Sequence, residues 1–308
     1  MTRHQQIALR IDGLRMRYGT AEILTDVTFQ MRHGEITALL GPNGAGKTTT
    51  IEVLEGFRQP SGGQIEVLGT DPAQGGSQWR ARVGVVLQSW RDHARWRVRE
   101  LLAHQGRYYT RYATDLIERP WDVDDLLEVV GLTDHADQQV RLLSGGQRRR
   151  LDVAIGVVGR PELLFLDEPT AGFDPEARRE FHDLVLRLAA EGDTTVLLTT
   201  HDLNEAEKLA DRILILDRGR IVADGTPSEL ARQIVGDDLV RWTHNGQRYV
   251  RSTTDSTSFI FQLFQQYGDA ITDLEIQRSS LEDTYLHLVR QAEAGAGTTT
   301  SPELGEVA

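Results

Sequence analysis

The chain of 308 residues contains no cysteine. Disulfide frameworks, thiolate nucleophiles and cysteine-ligated zinc are thereby excluded, and the composition fits a reducing compartment. Long apolar runs are missing as well. The longest, around Val153 to Gly159, falls far short of the roughly 18 apolar residues that a membrane-spanning helix needs. Met1–Gly13 lacks the apolar core of a secretory signal. Lysine is nearly absent: of 34 basic residues, only Lys47 and Lys208 are lysine. Acidic residues number 46, and the formal net charge is −12. Nucleic-acid affinity rests largely on basic groups meeting phosphates, so this balance argues against a general nucleic-acid binder.

Hydrophobic residues make up 39% of the chain, with 29 glycines besides. That is ordinary for a globular protein and supports a sizeable core. The length suggests about two domains. Charge is uneven: Arg91, Arg95, Arg97 and Arg99 form a basic run, followed by acids from Asp115 to Asp137.

Apolar patterning predicts strands over Ile7–Ile11, Ile23–Met31, Ile36–Leu40, Gln64–Leu68 and Val83–Leu87. Helical spacing follows at Gly46–Gly56, Val98–Tyr112, Val123–Val130 and Gly145–Val158. Beyond these, Leu163–Leu166, Thr195–Thr199, Arg212–Leu216 and Ile221–Ala223 read as strands, and Pro175–Ala190 and Leu203–Ala210 as helices. The alternation implies an α/β core around a largely parallel sheet. The pattern changes after Pro227–Val235. Leu239–His244 and Gln247–Ser252 flank Asn245-Gly246, a strong hairpin signal. A helix over Thr257–Tyr267, a strand over Ile271–Gln277 and a helix over Leu281–Arg290 complete a ββαβα string. We expect domains at 5–235 and 236–291, and a small, polar, disordered tail at 292–308.

Gly41-Pro42-Asn43-Gly44-Ala45-Gly46-Lys47-Thr48 fits G-x-x-x-x-G-K-[ST], after a strand and opening a helix. Glycines let backbone N–H groups turn inward around phosphate oxygens. The helix N-terminus adds positive dipole. Lys47 supplies charge to the β- and γ-phosphates, and the Thr48 hydroxyl can ligate Mg²⁺. A second element, Leu163-Leu164-Phe165-Leu166-Asp167-Glu168, is an apolar strand that carries two acids to the sheet's ligand-binding edge. There Asp167 can hold Mg²⁺, and Glu168 can polarise a water attacking the γ-phosphate. Leu143-Ser144-Gly145-Gly146-Gln147 opens a helix with unpaired N–H groups, which makes another anion site or simply a capped helix after a flexible turn. Taken singly, Tyr18 is as readily a core or surface aromatic, Gln88 a strand-end amide, and His201 a residue capping the next helix.

With these motifs in this order, residues 5–230 resemble the nucleotide-binding subunits of ABC transporters. The resemblance implies a P-loop ATPase fold with a helical signature subdomain at about 92–160 and an antiparallel β subdomain. It implies ATP contacts from Tyr18, Gly41 to Thr49 (Thr49 included) and Gln88, and Mg²⁺ held by Thr48, Gln88 and Asp167. Catalysis is assigned to Lys47, Glu168 and His201. Leu143, Ser144, Gly145, Gly146 and Gln147 are the signature that closes on ATP held by a second copy. Asp174, in Ala171-Gly172-Phe173-Asp174, is similar to the D-loop aspartate. Ala171 and Phe173 depart from the family's commoner wording.

One nucleotide-binding set and no span imply a second identical chain, a separate permease and a peripheral place on the cytoplasmic face of the membrane. The segment Arg91–Tyr112, with Trp90, Trp96, Tyr108 and Tyr109, offers a contact to that permease or to anionic lipid, or is a solvated helix face. The C-terminal string, ending Ser280-Leu281-Glu282-Asp283-Thr284-Tyr285-Leu286, resembles the accessory domain of drug- and antibiotic-type exporters such as the daunorubicin-resistance family. Export of a drug-, antibiotic- or lipid-like substrate is therefore expected. The alternative is a non-transport ABC ATPase acting on ribosomes or DNA.

Overall fold

The computed structural model describes residues 6–86, 93–115, 117–192, 194–234, 238–253 and 255–277. Gln88, the helix expected over Leu281–Arg290 and the tail at 292–308 lie outside the described residues. The chain divides into two compact units, 1–224 and 225–308.

The first unit begins with a long hairpin of β1 (Ile7–Tyr18) and β2 (Ala21–Arg32). β1 runs well past Ile11, where the apolar pattern breaks. A register shift between Ile11 and Leu14, at Gly13 with φ 60°, returns Leu14 and Met16 to the buried face. β4 (Gly62–Val67) pairs antiparallel with the other edge of β1.

β3 (Ile36–Leu40), β5 (Val83–Val86), β6 (Leu163–Asp167), β7 (Thr195–Thr200) and β8 (Arg212–Asp217) form the parallel part, and β9 (Arg220–Gly225) follows β8. Among the described residues one sheet has the order β4-β1-β2-β9-β8-β3-β7-β6-β5. From β8 to β5 neighbouring strands are parallel. β3, β6 and β7 are buried at every position, as befits strands covered on both faces.

α1 (Lys47–Leu54) follows β3 directly. A short helix not evident in the sequence, α2 (Ser77–Arg80), seats Trp79, whose indole N–H donates to Val67 O at 2.9 Å. α3 (Val98–Gly106), α4 (Val123–Val129) and α5 (Gly145–Val157) form a helical subdomain. Leu101, Leu102, Leu126, Leu127 and Leu151 are buried in it. α3 stops at Gly106 rather than running to Tyr112; a separate 3-10 turn covers Thr110–Tyr112. Glycine is a poor helix former, and Gly106 packs where an added Cβ would lie 3.2 Å from Pro120. α6 (Pro175–Gly192) and α7 (Leu203–Leu209) complete the unit.

The second unit holds α8 (Pro227–Ile234), which patterning did not reveal, then β10 (Asp238–His244), β11 (Gln247–Thr253), α9 (Ser256–Tyr267) and β12 (Ile271–Gln277). The sheet order is β11-β10-β12, all antiparallel. Asn245 and Gly246 turn the hairpin with φ 51° and 77°. Trp242 stacks on its cross-strand partner Tyr249 and meets Phe259 of α9 edge-on, so α9 covers that face.

Candidate active site

Register converges the motifs. Leu40 pairs with Thr200, and Asp167 with Thr199. Parallel strands place their C-terminal ends on one edge, so the loop from Gly41, the acids after Leu166 and His201 emerge side by side. This is the edge at which open α/β sheets bind ligands.

The loop from Gly41 to Gly46 needs its glycines. A Cβ on Gly41 would lie 2.3 Å from Leu216 O, and Gly46 sits at φ 109° with Leu24 Cδ2 2.5 Å from where a Cβ would be. Lys47 is only 4% exposed. Its ammonium donates to Gly41 O at 2.8 Å and Pro42 O at 3.1 Å, and lies 3.2 Å from Glu168 Oε1. Ala45 N–H donates to Pro42 O at 3.2 Å and fixes the loop from within. Tyr18, Asn43, Gly44, Lys47, Thr48 and Glu168 line one cavity of about 500 Å³, together with Gly46 and Thr49. Tyr18 reaches it because β1 is long; the residue is 39% exposed, and the Arg58 guanidinium lies 5.1 Å from its ring centroid.

Asp167 is buried at the end of β6. Its Oδ1 accepts from Thr199 Oγ1 at 2.6 Å and from Thr48 Oγ1 at 3.3 Å. A hydroxyl and a carboxylate meeting in this way are hard oxygen donors of the kind that Mg²⁺ takes together with phosphate. The residues therefore fit that ion. Glu168 adopts φ 41°, a left-handed conformation that costs an L residue ~1 kcal/mol or more and that gathers at functional sites. Thr199 Oγ1 accepts the Glu168 N–H at 2.9 Å. His201 Nδ1 lies 3.4 Å from Glu168 Oε2. The carboxylate thus sits between Lys47 and His201.

The signature occupies a different place. Ser144 caps α5 reciprocally: its Oγ accepts from Gln147 N, and Gln147 Oε1 accepts from Ser144 N at 2.9 Å. Gln147 Nε2 also lies 2.9 Å from His135 Nε2. Leu143 stands just outside the cap, its N–H donating to Val140 O at 3.3 Å. Ser144, Gly145, Gly146, Gln147 and Asp174 line a cavity of about 700 Å³ that Lys47 does not reach, although Glu168 borders both. Asp174 Oδ1 caps α6, accepting from Glu176 N at 3.0 Å and Ala177 N at 2.9 Å. Phe173 packs edge-on against Phe181, ring centroids 5.9 Å apart, and so anchors the unusual Ala-Gly-Phe-Asp turn.

Within the basic run, Arg97 and Arg99 are tied down inside the chain. Arg97 Nη1 donates to Asp137 O at 2.5 Å, and Arg99 pairs with Asp124. Trp96 joins His93, His104 and Tyr108 in a chain of ring contacts. Thr199, which joins Asp167 to Glu168, went unnoticed in the sequence; the adjacent Thr199-Thr200 before His201 was its only signal.

The ABC transporter family model matches residues 24–171. The chain is 36% identical over 305 residues to a daunorubicin resistance ATP-binding protein, DrrA3, of Streptomyces coeruleorubidus, covering 91% of this chain and 95% of that one. The chain belongs to the ABC transporter family. It is also 41% identical over 232 residues to a Nod factor export ATP-binding protein I of Ralstonia nicotianae, over 75% of this chain and 71% of that protein. A solved ATP binding subunit of an ABC transporter matches with a TM-score of 0.63 at 28% identity, over 73% of this chain and 92% of its own. The reaction of this ABC ATPase is ATP hydrolysis. Among the described residues no helix is long and apolar enough to cross a membrane.

Proposed function

We propose that this ABC ATPase hydrolyses Mg-ATP in a head-to-tail pair of identical chains and so drives export through a separate membrane permease. The observation that supports the pairing is that Lys47 and the signature residues line different cavities, which share Glu168 at their border. Lys47, Thr48 and Tyr18 surround one; Ser144, Gly145, Gly146 and Asp174 surround the other. A signature that serves ATP held by a partner belongs apart from its own P-loop. Export of a drug-, antibiotic- or lipid-like substrate is supported by relatives named for daunorubicin resistance and Nod factor export. A peripheral place on the cytoplasmic face follows from that assembly.

In this reading Lys47 and the loop N–H groups hold the β- and γ-phosphates, and Tyr18 stacks on adenine. Thr48 and Asp167 hold Mg²⁺, which when bound offsets phosphate charge. Glu168 accepts a proton from the attacking water, and His201 orients the carboxylate and approaches the γ-phosphate. The test is size-exclusion chromatography of Glu168→Gln with Mg-ATP. We expect an ATP-bound dimer without turnover. A strictly monomeric, fully active variant overturns the mechanism.

A further inference from the structure

The peptide that follows Glu168 is gripped by two buried side chains that no motif identifies. Arg149 is buried on α5, and its Nε donates to Pro169 O at 2.9 Å. Glu205 is 1% exposed on α7. Its Oε1 accepts from Thr170 Oγ1 at 2.8 Å, and His182 Nε2 of α6 lies 3.4 Å from the same oxygen. Thr170 and His182 are themselves buried.

We propose that Arg149 and Glu205 are positioning residues for hydrolysis, holding Pro169 and Thr170 so that the Glu168 carboxylate faces the attacking water. The proposal rests on the reading of Glu168 as the group that polarises that water.

The backbone geometry explains why such a clamp is needed. Glu168 sits at φ 41°, a conformation that persists only where its surroundings over-determine it. Upstream, Thr199 Oγ1 fixes the Glu168 N–H. Downstream, Pro169 has no N–H to anchor, so its carbonyl and the Thr170 side chain supply the holds. Arg149 takes the first and Glu205 the second. Ala171 N–H returns to Glu168 O at 3.2 Å and closes the turn.

Burial makes the two groups expensive. Desolvation pulls the Arg149 guanidinium below its usual range, while the carboxylates of Asp152, Asp167 and Glu205 pull it back up. Buried ion pairs are often no more stabilising than apolar residues of equal volume. A role in stability alone therefore accounts poorly for them; a role in placing Glu168 accounts for both. The placement also joins two helices that border the site. α5 begins with the signature, α7 begins just after His201, and both converge on the residues behind Glu168.

The experiment is steady-state ATP hydrolysis by the full chain, with ATP affinity measured separately by titration. Arg149→Ala and Glu205→Ala should each lower kcat about 10- to 100-fold, the cost of a misplacement near 1 Å. KM and ATP affinity should stay within about threefold of the parent, since no ground-state contact is lost. Glu205→Gln keeps an acceptor at Oε1 and should recover kcat to within about threefold. Thr170→Val removes only the hydroxyl and gives the same readout should Glu205→Ala fail to fold. Combined, Thr170→Val and Glu205→Ala should be no worse than the more damaging single change, because the Thr170 hydroxyl has no acceptor there once Glu205 is gone. Parent kcat in Arg149→Ala and Glu205→Ala, or a rise in KM at constant kcat, overturns the proposal. Glu168→Gln is measured beside them. If it keeps parent turnover, the reading of Glu168 fails. If it abolishes turnover while the clamp variants stay normal, the clamp alone fails.

Discussion

The Lys47 ammonium lies 3.2 Å from the Glu168 carboxylate. The cation at the start of α1 and the acid beyond β6 thus form one partly buried ion pair, with His201 Nδ1 3.4 Å from the other carboxylate oxygen. Phosphate arriving at Lys47 must share that ammonium with Glu168. Lys47→Ala should weaken ATP binding about 10- to 100-fold, the scale of losing a hydrogen bond to a charged group. Glu168→Gln removes the competitor and should bind Mg-ATP at least as tightly as the parent. Equilibrium titration of both variants decides this; weaker binding by Glu168→Gln would show that Glu168 aids phosphate binding instead.

Ser144 does two jobs, and substitution separates them. Ser144→Ala removes the cap of α5 and should cost about 1 kcal/mol of stability. Ser144→Arg also fills the signature cavity with a bulky cation and should abolish turnover. ATP affinity of the monomer should be unchanged, because Ser144 lines a cavity that Lys47 does not reach. A loss of monomer affinity would place the signature on its own nucleotide.

Gly46→Ala tests the backbone of the loop. Its φ of 109° disfavours a side chain, and the new Cβ would meet Leu24 Cδ2 at 2.5 Å. Overpacking of this kind costs about 1–3 kcal/mol. Urea unfolding should show that loss, and ATP binding should fall with it as the N–H groups shift away from phosphate. Full stability with full ATP affinity would contradict the close packing of β2 on this loop.

Glu55, at the end of α1, gives a pH signature. Burial pushes its carboxyl up from 4.5 to about 7, with Glu52 and Asp167 adding repulsion. Its Oε2 is buried without a hydrogen-bond partner among the described residues. Between these two values the native state holds more protons than the unfolded chain, so stability falls as pH rises through the window. Glu55→Gln stays neutral throughout. Without nucleotide, it should match the parent near pH 4.5 and exceed it by about 1–2 kcal/mol near pH 8, after allowance for solvent screening. Urea unfolding at both values measures it; a difference independent of pH would remove Glu55 as the cause.

The sequence by itself determined the pieces whose chemistry is local. A glycine-rich turn between an apolar strand and a helix makes a phosphate loop from adjacent residues alone, and Gly41 to Thr48 could be read that way. The strand ending in Asp167 and Glu168, the capped helix at Ser144 and the hairpin at Asn245-Gly246 are local in the same sense. α2 escaped because its four residues make barely one turn, too few for a period to show. Arg97 and Arg99, read as part of a permease or lipid contact or of a solvated helix face, meet Asp137 and Asp124 from elsewhere in the helical subdomain. Only the tertiary structure decided which distant groups share an atom. Thr199 reaches Asp167 because β6 and β7 are neighbours in one register. Arg149 and Glu205 meet Pro169 and Thr170 because α5 and α7 converge behind β6. Such contacts depend on sheet order and helix packing, and groups 20 or more residues apart carry no spacing signal that would announce them.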